Sequence, residues 1–317
     1  MSLTPFTPLI GNAHLATIAA TFWPQNIDER RFPVEAKLFC TGPDTQILVH
    51  IQRPPDPKGE VLLVHGLEGS SRSWYLCSLA QTLLEAGYAV HRTNIRTCGG
   101  TEFLCPTVYH AGLTSDLLAY LAELRTPAFL VGYSLGGNMV LKLAGELGER
   151  AQGMLKGVCA VSTPIDLAAC SLRLGERGNR IYAWWFLRSM RRRLMLRRSV
   201  LSREIDVHGG LKAKSIYEFD DLVTGPSFGF RGADHYYQTQ SALNFLQHIR
   251  VPVLLIQAKN DPLIPFAVFG HAAIEQNRRI RLAAPDHGGH VAFLSRGRPR
   301  VWTDPLIRDW ISEYGNI

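Results

Sequence analysis

The sequence predicts an α/β fold: a mostly parallel central sheet, helices on both faces, and a helical insertion over the strand ends. Three observations carry that reading. Runs such as VLLV (61–64), FLVGY (129–133) and VLLI (253–256) are apolar throughout, as strands buried on both faces are. Amphipathic helical stretches separate the runs, which is how parallel strands are connected. Between about Pro164 and Gln247 the rhythm breaks into Arg-rich and aromatic text, AWWFLRSMRRRLMLRRSV and FDDLVTGPSFGFRGADHYY, which places an insertion between two sheet strands.

The elements follow in order. AKLFC and TQILVHIQRP read as two strands joined at Thr41-Gly42-Pro43-Asp44, an antiparallel hairpin at the sheet edge. GEVLLVHGLEGSSRS is a buried strand ending in a Gly/Ser loop. In WYLCSLAQTLLEAGY, Leu76, Leu79, Ala80, Leu83 and Leu84 share one helical face. YAVHRTNIR is the next strand. LTSDLLAYLAELR is a helix with Thr114 or Ser115 as its cap and Asp116 in its first turn. Strand PAFLVGYS leads into helix GGNMVLKLAGEL, and LKGVCAVSTP is a further strand. VPVLLIQAKNDPLIP and IRLAAPDHGGH are two more strands with loops, and WTDPLIRDWISEY is a C-terminal helix. The division expected is an α/β core over 1–163, a cap insertion over 164–247, and core again over 248–317.

The chain has 317 residues, 46% hydrophobic and 19% charged, a globular composition. No apolar run approaches the roughly 18 residues needed to cross a bilayer. The opening MSLTPFTPLIGNAHLATIAATFWP lacks a basic flank and a cleavage site, and is read as mature protein. Cys40, Cys77, Cys98, Cys105, Cys159 and Cys170 form no CxxC pair and no zinc spacing, which points to reduced thiols in a cytoplasmic protein. The net charge is +7, but Ser171–Arg203 holds ten arginines and one acid, giving +9 and leaving −2 elsewhere. The basic balance belongs to one segment.

The chemistry-bearing residues sit in loops after strands, where a parallel sheet places its catalytic side chains. Ser134 lies in Gly132-Tyr133-Ser134-Leu135-Gly136 between a strand and a helix. Asp261 follows the strand of QAKNDPLIP, and His290 lies in DHGGHVAF after the next strand. The chain order Ser, Asp, His on such a scaffold is that of the α/β-hydrolase fold. A serine hydroxyl needs a histidine to take its proton, and the histidine needs an acid to fix its tautomer. The oxyanion needs backbone donors, expected from Leu135 and from Leu67 in HGLEG. Asp166 in STPIDL is the runner-up acid and His287 the rival base. His290 is preferred because Val291-Ala292-Phe293 reads as an apolar helix start that would fix it. His287 and His290 lack the further carboxylates and histidines of a metal site, His65 reads as a brace for the oxyanion loop, and His14 and His110 are left unassigned, most such histidines being structural or surface residues.

The sequence resembles the YheT-like esterases, a bacterial branch of the α/β-hydrolases related to eukaryotic membrane-anchored lipases of monoacylglycerols and phospholipids. The matching text is GNAHLATI, HGLEGSSRSWY, NIRTCGG, YHAGLTSDL, GYSLGGNM, NDPLIP and HGGHVAF, spanning residues 11 to 293. RTCGG stands where many members carry an Arg-Gly-Cys-Ser-Gly-like stretch. The resemblance implies Ser134, Asp261 and His290 as the triad, and hydrolysis of carboxylic esters with no cofactor.

Within the insertion, Ala183, Leu187, Met190 and Leu194 share one helical face, with Arg188, Arg191, Arg192 and Arg193 on the other sides and Trp184, Trp185 and Phe186 at the start. Two readings follow: a cap helix whose arginines are solvated or paired, or one that meets anionic lipid headgroups at the inner membrane surface. Nucleic acid is disfavoured, because the basic run is confined to one insertion with no nucleic-acid module. The expected activity is serine ester hydrolysis on short- or medium-chain acyl esters. An acyltransferase is the enzymatic rival, and a basic lipid- or nucleic-acid-binding protein the non-enzymatic one.

Overall fold

The computed structural model describes residues 5–24, 27–201 and 205–315. Met1–Thr4 of the opening segment and Arg203 of the basic segment lie outside these. Eight strands form one sheet: β1 (Glu35–Gly42), β2 (Thr45–Gln52), β3 (Glu60–Val64), β4 (Ala89–Thr93), β5 (Ala128–Tyr133), β6 (Leu155–Val161), β7 (Val253–Ile256) and β8 (Ile280–Ala283). Their order is β1-β2-β4-β3-β5-β6-β7-β8. The β1–β2 and β2–β4 pairings are antiparallel and all others parallel, so the expected edge hairpin and parallel core are both present.

Helices cover both faces, as the amphipathic spacing required. On one face α2 (Trp74–Glu85) and the C-terminal helix Thr303–Gly315 bury Leu76, Leu79, Leu83, Ile307 and Trp310 against β3, β5 and β7. On the other, α3 (Ser115–Ala122) and α4 (Leu135–Leu147) bury Leu117, Val140 and Leu143 with Leu62, Leu130 and Val158. Thr114 stands at the cap position of α3, but its hydroxyl donates to Glu146 at 2.6 Å instead of serving the helix. Asp116 in the first turn pairs with Arg96.

Among the described residues, the chain between β6 and β7 contains helices and turns and no strand. It includes α5 (Leu167–Gly175), the Arg-rich α6 (Arg180–Arg197), the helices Val207–Lys212 and Ala233–Gln240, and a π-helical turn at Asp220–Thr224. At the other end of the chain, α1 (Ala13–Thr21) packs Ala16 and Ala20 against Ala292 and Leu294. The helix expected to start at Val291 does not form. Val291 has φ 55°, Leu294 bridges to Val301, and Phe293 packs against Trp302, so each apolar side chain is buried separately by an irregular loop.

Asp304, in the first turn of the C-terminal helix, is buried and accepts a hydrogen bond from Ser78 Oγ at 2.5 Å. Burial pushes its carboxyl up to about 7. The folded state therefore binds this proton more tightly than the unfolded chain, where a carboxyl titrates near ~3.9. The stability so gained is complete below that value and is lost as pH rises through about 7. Asp304→Asn removes this titration. Its stability relative to wild type should improve between about pH 5 and about pH 8, read from denaturant midpoints; an equal difference at both pH values would contradict the assignment.

Candidate active site

The sharpest local feature is Ser134. It stands between the last residue of β5 and the first of α4 with φ 51° and ψ −123°. A non-glycine residue there costs on the order of 1 kcal/mol, and persists only where packing dictates it. A Cβ on Gly132 would lie 2.3 Å from the Gly136 carbonyl oxygen, and one on Gly136 would lie 2.5 Å from that of His65. The two glycines are therefore steric requirements of the bend. The Ser134 amide donates to Val161 O at 2.8 Å, tying the bend to β6.

Three loops converge on the serine. His290 Nε2 lies 3.0 Å from Ser134 Oγ, and His290 Nδ1 lies 3.0 Å from Asp261 Oδ2. With the Nδ1 proton held by the carboxylate, Nε2 faces the hydroxyl as an acceptor. Asp261 is buried, and each of its oxygens is occupied. Oδ1 accepts from the Leu263 and Ile264 amides at 2.9 and 3.1 Å, and Oδ2 also accepts from Gln257 Nε2 at 3.1 Å. The His290 loop is held from two sides: its amide donates to Thr17 Oγ1 of α1 at 2.9 Å, and the Val291 amide donates to Ser162 Oγ at 3.0 Å.

His65 braces the neighbouring loop, as expected. It is fully buried, and burial holds its ring down to about 4, so it is neutral at ordinary pH. Nε2 accepts from the Ile95 amide at 3.1 Å, which leaves the proton on Nδ1 to donate to Gly66 O at 2.7 Å. Gly69 N–H donates to the same oxygen at 3.1 Å. In a trans peptide the C=O and the N–H point oppositely. Fixing the Gly66 oxygen therefore fixes the direction of the Leu67 N–H. Leu67 and Leu135 line the same cavity as Ser134 and His290. Among the hydrogen bonds of the described residues, neither amide donates within the protein.

The cavity measures about 1030 Å³, including its open mouth. Its walls are mainly apolar, with Leu167, Leu174, Phe186, Met190 and Ile264 among them. His110 belongs to this wall, ringed by Phe228, Phe230 and Tyr236, and burial pulls it down to about 3, so it stays neutral. Asp220 lies there too, its carboxyl pushed up to about 6 by burial while Tyr237 donates to it at 2.7 Å.

Ser134, Asp261, His290, Leu67 and Leu135 are thus brought to one place. Asp166 is not: it caps α5, accepting from the Ala169 amide at 3.0 Å. His287 is exposed and meets Asn260. His14 stacks on Tyr182, ring centres 5.8 Å apart. Among the described residues no group of three or more His, Cys, Asp or Glu side chains is placed to hold a metal ion. Sequence reasoning missed Thr17 and Ser162 as supports of the histidine loop, although Thr17 lies inside the GNAHLATI text. The arginine face divides between solvated and paired members. Arg188 and Arg192 are exposed, but Arg191 reaches Ala213 O and Arg193 reaches Glu68. Arg197 is buried on the carbonyls of Glu102, Cys105 and Thr107.

A mostly parallel sheet with a serine on its strand-to-helix bend, and His and Asp on later loops, is the plan of a large class of hydrolases. The chain belongs to the alpha/beta hydrolase family, whose model matches residues 61–302. The relatives narrow this further. The chain is 28% identical to YheT of Escherichia coli (strain K12), named as a candidate esterase, over 99% of this chain and 94% of that protein. It is 29% identical to Phospholipase ABHD3 of Bos taurus over 79% of this chain, and the match spans 62% of that relative's length. The solved esterase of Pyrococcus furiosus superposes with a TM-score of 0.61 over 91% of this chain and 96% of that one; at 16% identity this concerns the fold alone. The resemblance to the YheT-like branch is borne out, and the curated relatives, named as esterase, lipase and phospholipase, give the enzyme class as a carboxylic ester hydrolase.

His65 also makes a testable contribution to stability. Its folded pKa lies below the value of about 6.5 for the unfolded chain, so its contribution is complete above that pH and is lost as pH falls toward about 4. Between about pH 7 and about pH 5, wild type should therefore lose more stability than His65→Asn, in which this site no longer titrates; equal losses would contradict a neutral, clamped His65.

Proposed function

We propose that the protein hydrolyses carboxylic esters through an acyl-enzyme on Ser134. His290 takes the serine proton and returns it to the leaving alcohol. Asp261 orients His290, the Leu67 and Leu135 amides receive the oxyanion, and water releases the acid. The observation that carries this is the unbroken 3.0 Å relay from Ser134 through His290 to Asp261. No cofactor enters these steps. The apolar cavity beside Ser134 supports an acyl chain of short or medium length, and the phospholipase among the relatives supports a lipid ester as substrate. Residues 164–247 act as the cap in this reading, because they supply the wall formed by Leu167, Phe186, Met190, Phe219 and Tyr237.

The test is a screen of p-nitrophenyl esters of graded acyl length on purified protein, with product analysis in the presence of a competing alcohol. Hydrolysis by wild type and none by Ser134→Ala is expected, with a fluorophosphonate labelling Ser134 alone. His290→Ala should lower kcat by about a thousandfold or more, and His287→Ala far less. Asp261→Asn should be severe and Asp166→Asn mild. Labelling that survives Ser134→Ala would sink the assignment, as would transfer to the alcohol in place of hydrolysis.

The same reading includes a cytoplasmic protein that touches anionic lipid at the inner membrane surface. Its support is the exposed edge of α6, where Trp184, Trp185 and Ile181 stand beside Arg188 and Arg192. The His14–Tyr182 stack joins this edge to α1, which exposes Leu15 and, just past its end, Phe22. The six free cysteines suit a reducing compartment, and no helix among the described residues is long and apolar enough to cross a membrane. Arg188→Gln/Arg192→Gln should weaken binding to anionic vesicles at low salt and leave hydrolysis of a small soluble ester unchanged. Unaltered vesicle binding would remove this part of the reading.

A further inference from the structure

Glu68 follows Leu67 directly and has φ 58°, a left-handed conformation in a residue with a full side chain. Such strain persists where surrounding contacts over-determine it. Here they do. The Glu68 amide donates to Tyr109 Oη at 3.1 Å, and the same hydroxyl donates to Glu68 Oε1 at 2.8 Å. Ser189 Oγ donates to Oε2 at 2.5 Å. Arg193 closes the carboxylate from the other side, with Nε 3.1 Å from Oε1 and Nη2 3.1 Å from Oε2, a forked pairing. Its remaining nitrogen donates to Thr97 O, and its guanidinium lies 5.7 Å from the Tyr109 ring centre. The side chains of Glu68 and Arg193 are only 6% and 16% exposed.

A buried ion pair is weak evidence of stabilisation, because desolvation offsets most of its attraction. What it gives is fixed geometry. Glu68 and Arg193 line the cavity that holds Ser134, and Ser189 and Arg193 belong to α6 while Glu68 belongs to the loop after β3. His65 clamps the peptide on the amino side of Leu67, through Gly66 O. Glu68 clamps the peptide on its carboxyl side.

We propose that Glu68 and Arg193 are positioning residues: their ion pair ties helix α6 to the loop after β3 and holds the Leu67 amide aimed at the oxyanion. This rests on the ester-hydrolase reading above and names the residues on which its oxyanion site depends. Without Arg193, a carboxylate beside Leu67 is left buried with one partner fewer. The left-handed turn then loses a reason to persist, and the Leu67 N–H leaves its aim. The effect falls on the transition state and not on ground-state binding, since the substrate carbonyl carries little charge before attack.

The experiment compares wild type, Arg193→Met, Arg193→Lys and Glu68→Gln on a small soluble ester, each checked for folding by circular dichroism. A trifluoromethyl ketone, whose adduct with Ser134 carries an oxyanion, is titrated against each. The expected result for Arg193→Met is a kcat lower by roughly a hundredfold, near what loss of one oxyanion donor costs, with KM little changed. Ketone affinity should fall in parallel, the pH midpoint of kcat/KM should stay in place, and Arg193→Lys should recover part of the loss. Glu68→Gln keeps the shape and serves if Arg193→Met does not fold. Glu68→Gln/Arg193→Met should be no worse than the poorer single variant, because the two act as one unit. A folded variant with wild-type kcat and ketone affinity overturns the proposal, as does a loss confined to KM. If wild type neither hydrolyses the ester nor binds the ketone, the ester-hydrolase reading itself has failed.

Discussion

The backbone at Ser134 is bent into the left-handed region, and the packing that forces the bend sets the spacing of its surroundings. Helix α4 can start one residue after β5 ends only if its first turn presses against the loop after β3. The clash distance at Gly136 measures how closely it presses there, and the one at Gly132 how closely the helix doubles back on β5. That approach brings the HGLEG loop beside Ser134, so that the amides of Leu67 and Leu135 open into one cavity. The strand order continues the argument. With β3 and β6 flanking β5, and β7 and β8 following, the loops carrying Asp261 and His290 leave the same edge of the sheet. Sequence-distant groups meet because parallel strands deliver their ends to one side.

The polar groups around this bend are buried, and burial dictates their chemistry. His65 is held neutral in a single tautomer, and both of its ring nitrogens are taken, Nε2 by the Ile95 amide and Nδ1 by Gly66 O. Asp261 is buried and accepts from two backbone amides and a side-chain amide in addition to meeting His290. In each case a group that would be costly alone is surrounded by donors or acceptors that fix its orientation.

Much of this was legible in the sequence because it is local. Apolar runs specified the strands, helical spacing specified α2 and α4, and the Gly-x-Ser-x-Gly text placed the bend. Asp261 and His290 were legible because each stands directly after a strand. What was not legible depends on partners far along the chain. Helical periodicity assigned Arg193 to a polar side of α6 because a long side chain leaves its helix face, and nothing near it in sequence names Glu68, which lies 125 residues away. Arg197 was counted among the basic residues of the segment, yet it serves three backbone carbonyls. At Val291 an apolar triplet suggested a helix, but the Ser162 hydroxyl holds the Val291 amide and Trp302 takes up Phe293, so tertiary contacts overrode the local pattern.

The amino-terminal helix shows how far such long-range dependence extends. Thr17 donates to Ala13 O within α1 and accepts the His290 amide, 273 residues away. One hydroxyl thereby joins a surface helix to the loop that carries His290. The Leu9 amide donates to Leu294 O, and Pro8 bridges Ser295, so the strand of chain before α1 is paired to the segment just after His290. The inward face of α1 is committed to this loop while its outward face exposes Leu15 and Ile18, and His14 stacks on Tyr182 of α6. A displacement of α1 would be felt first at His290, because the helix and the histidine loop share a hydrogen bond and a packed apolar cluster. The start of the chain, which carries none of Ser134, Asp261 and His290, is in this way part of what keeps the three aligned.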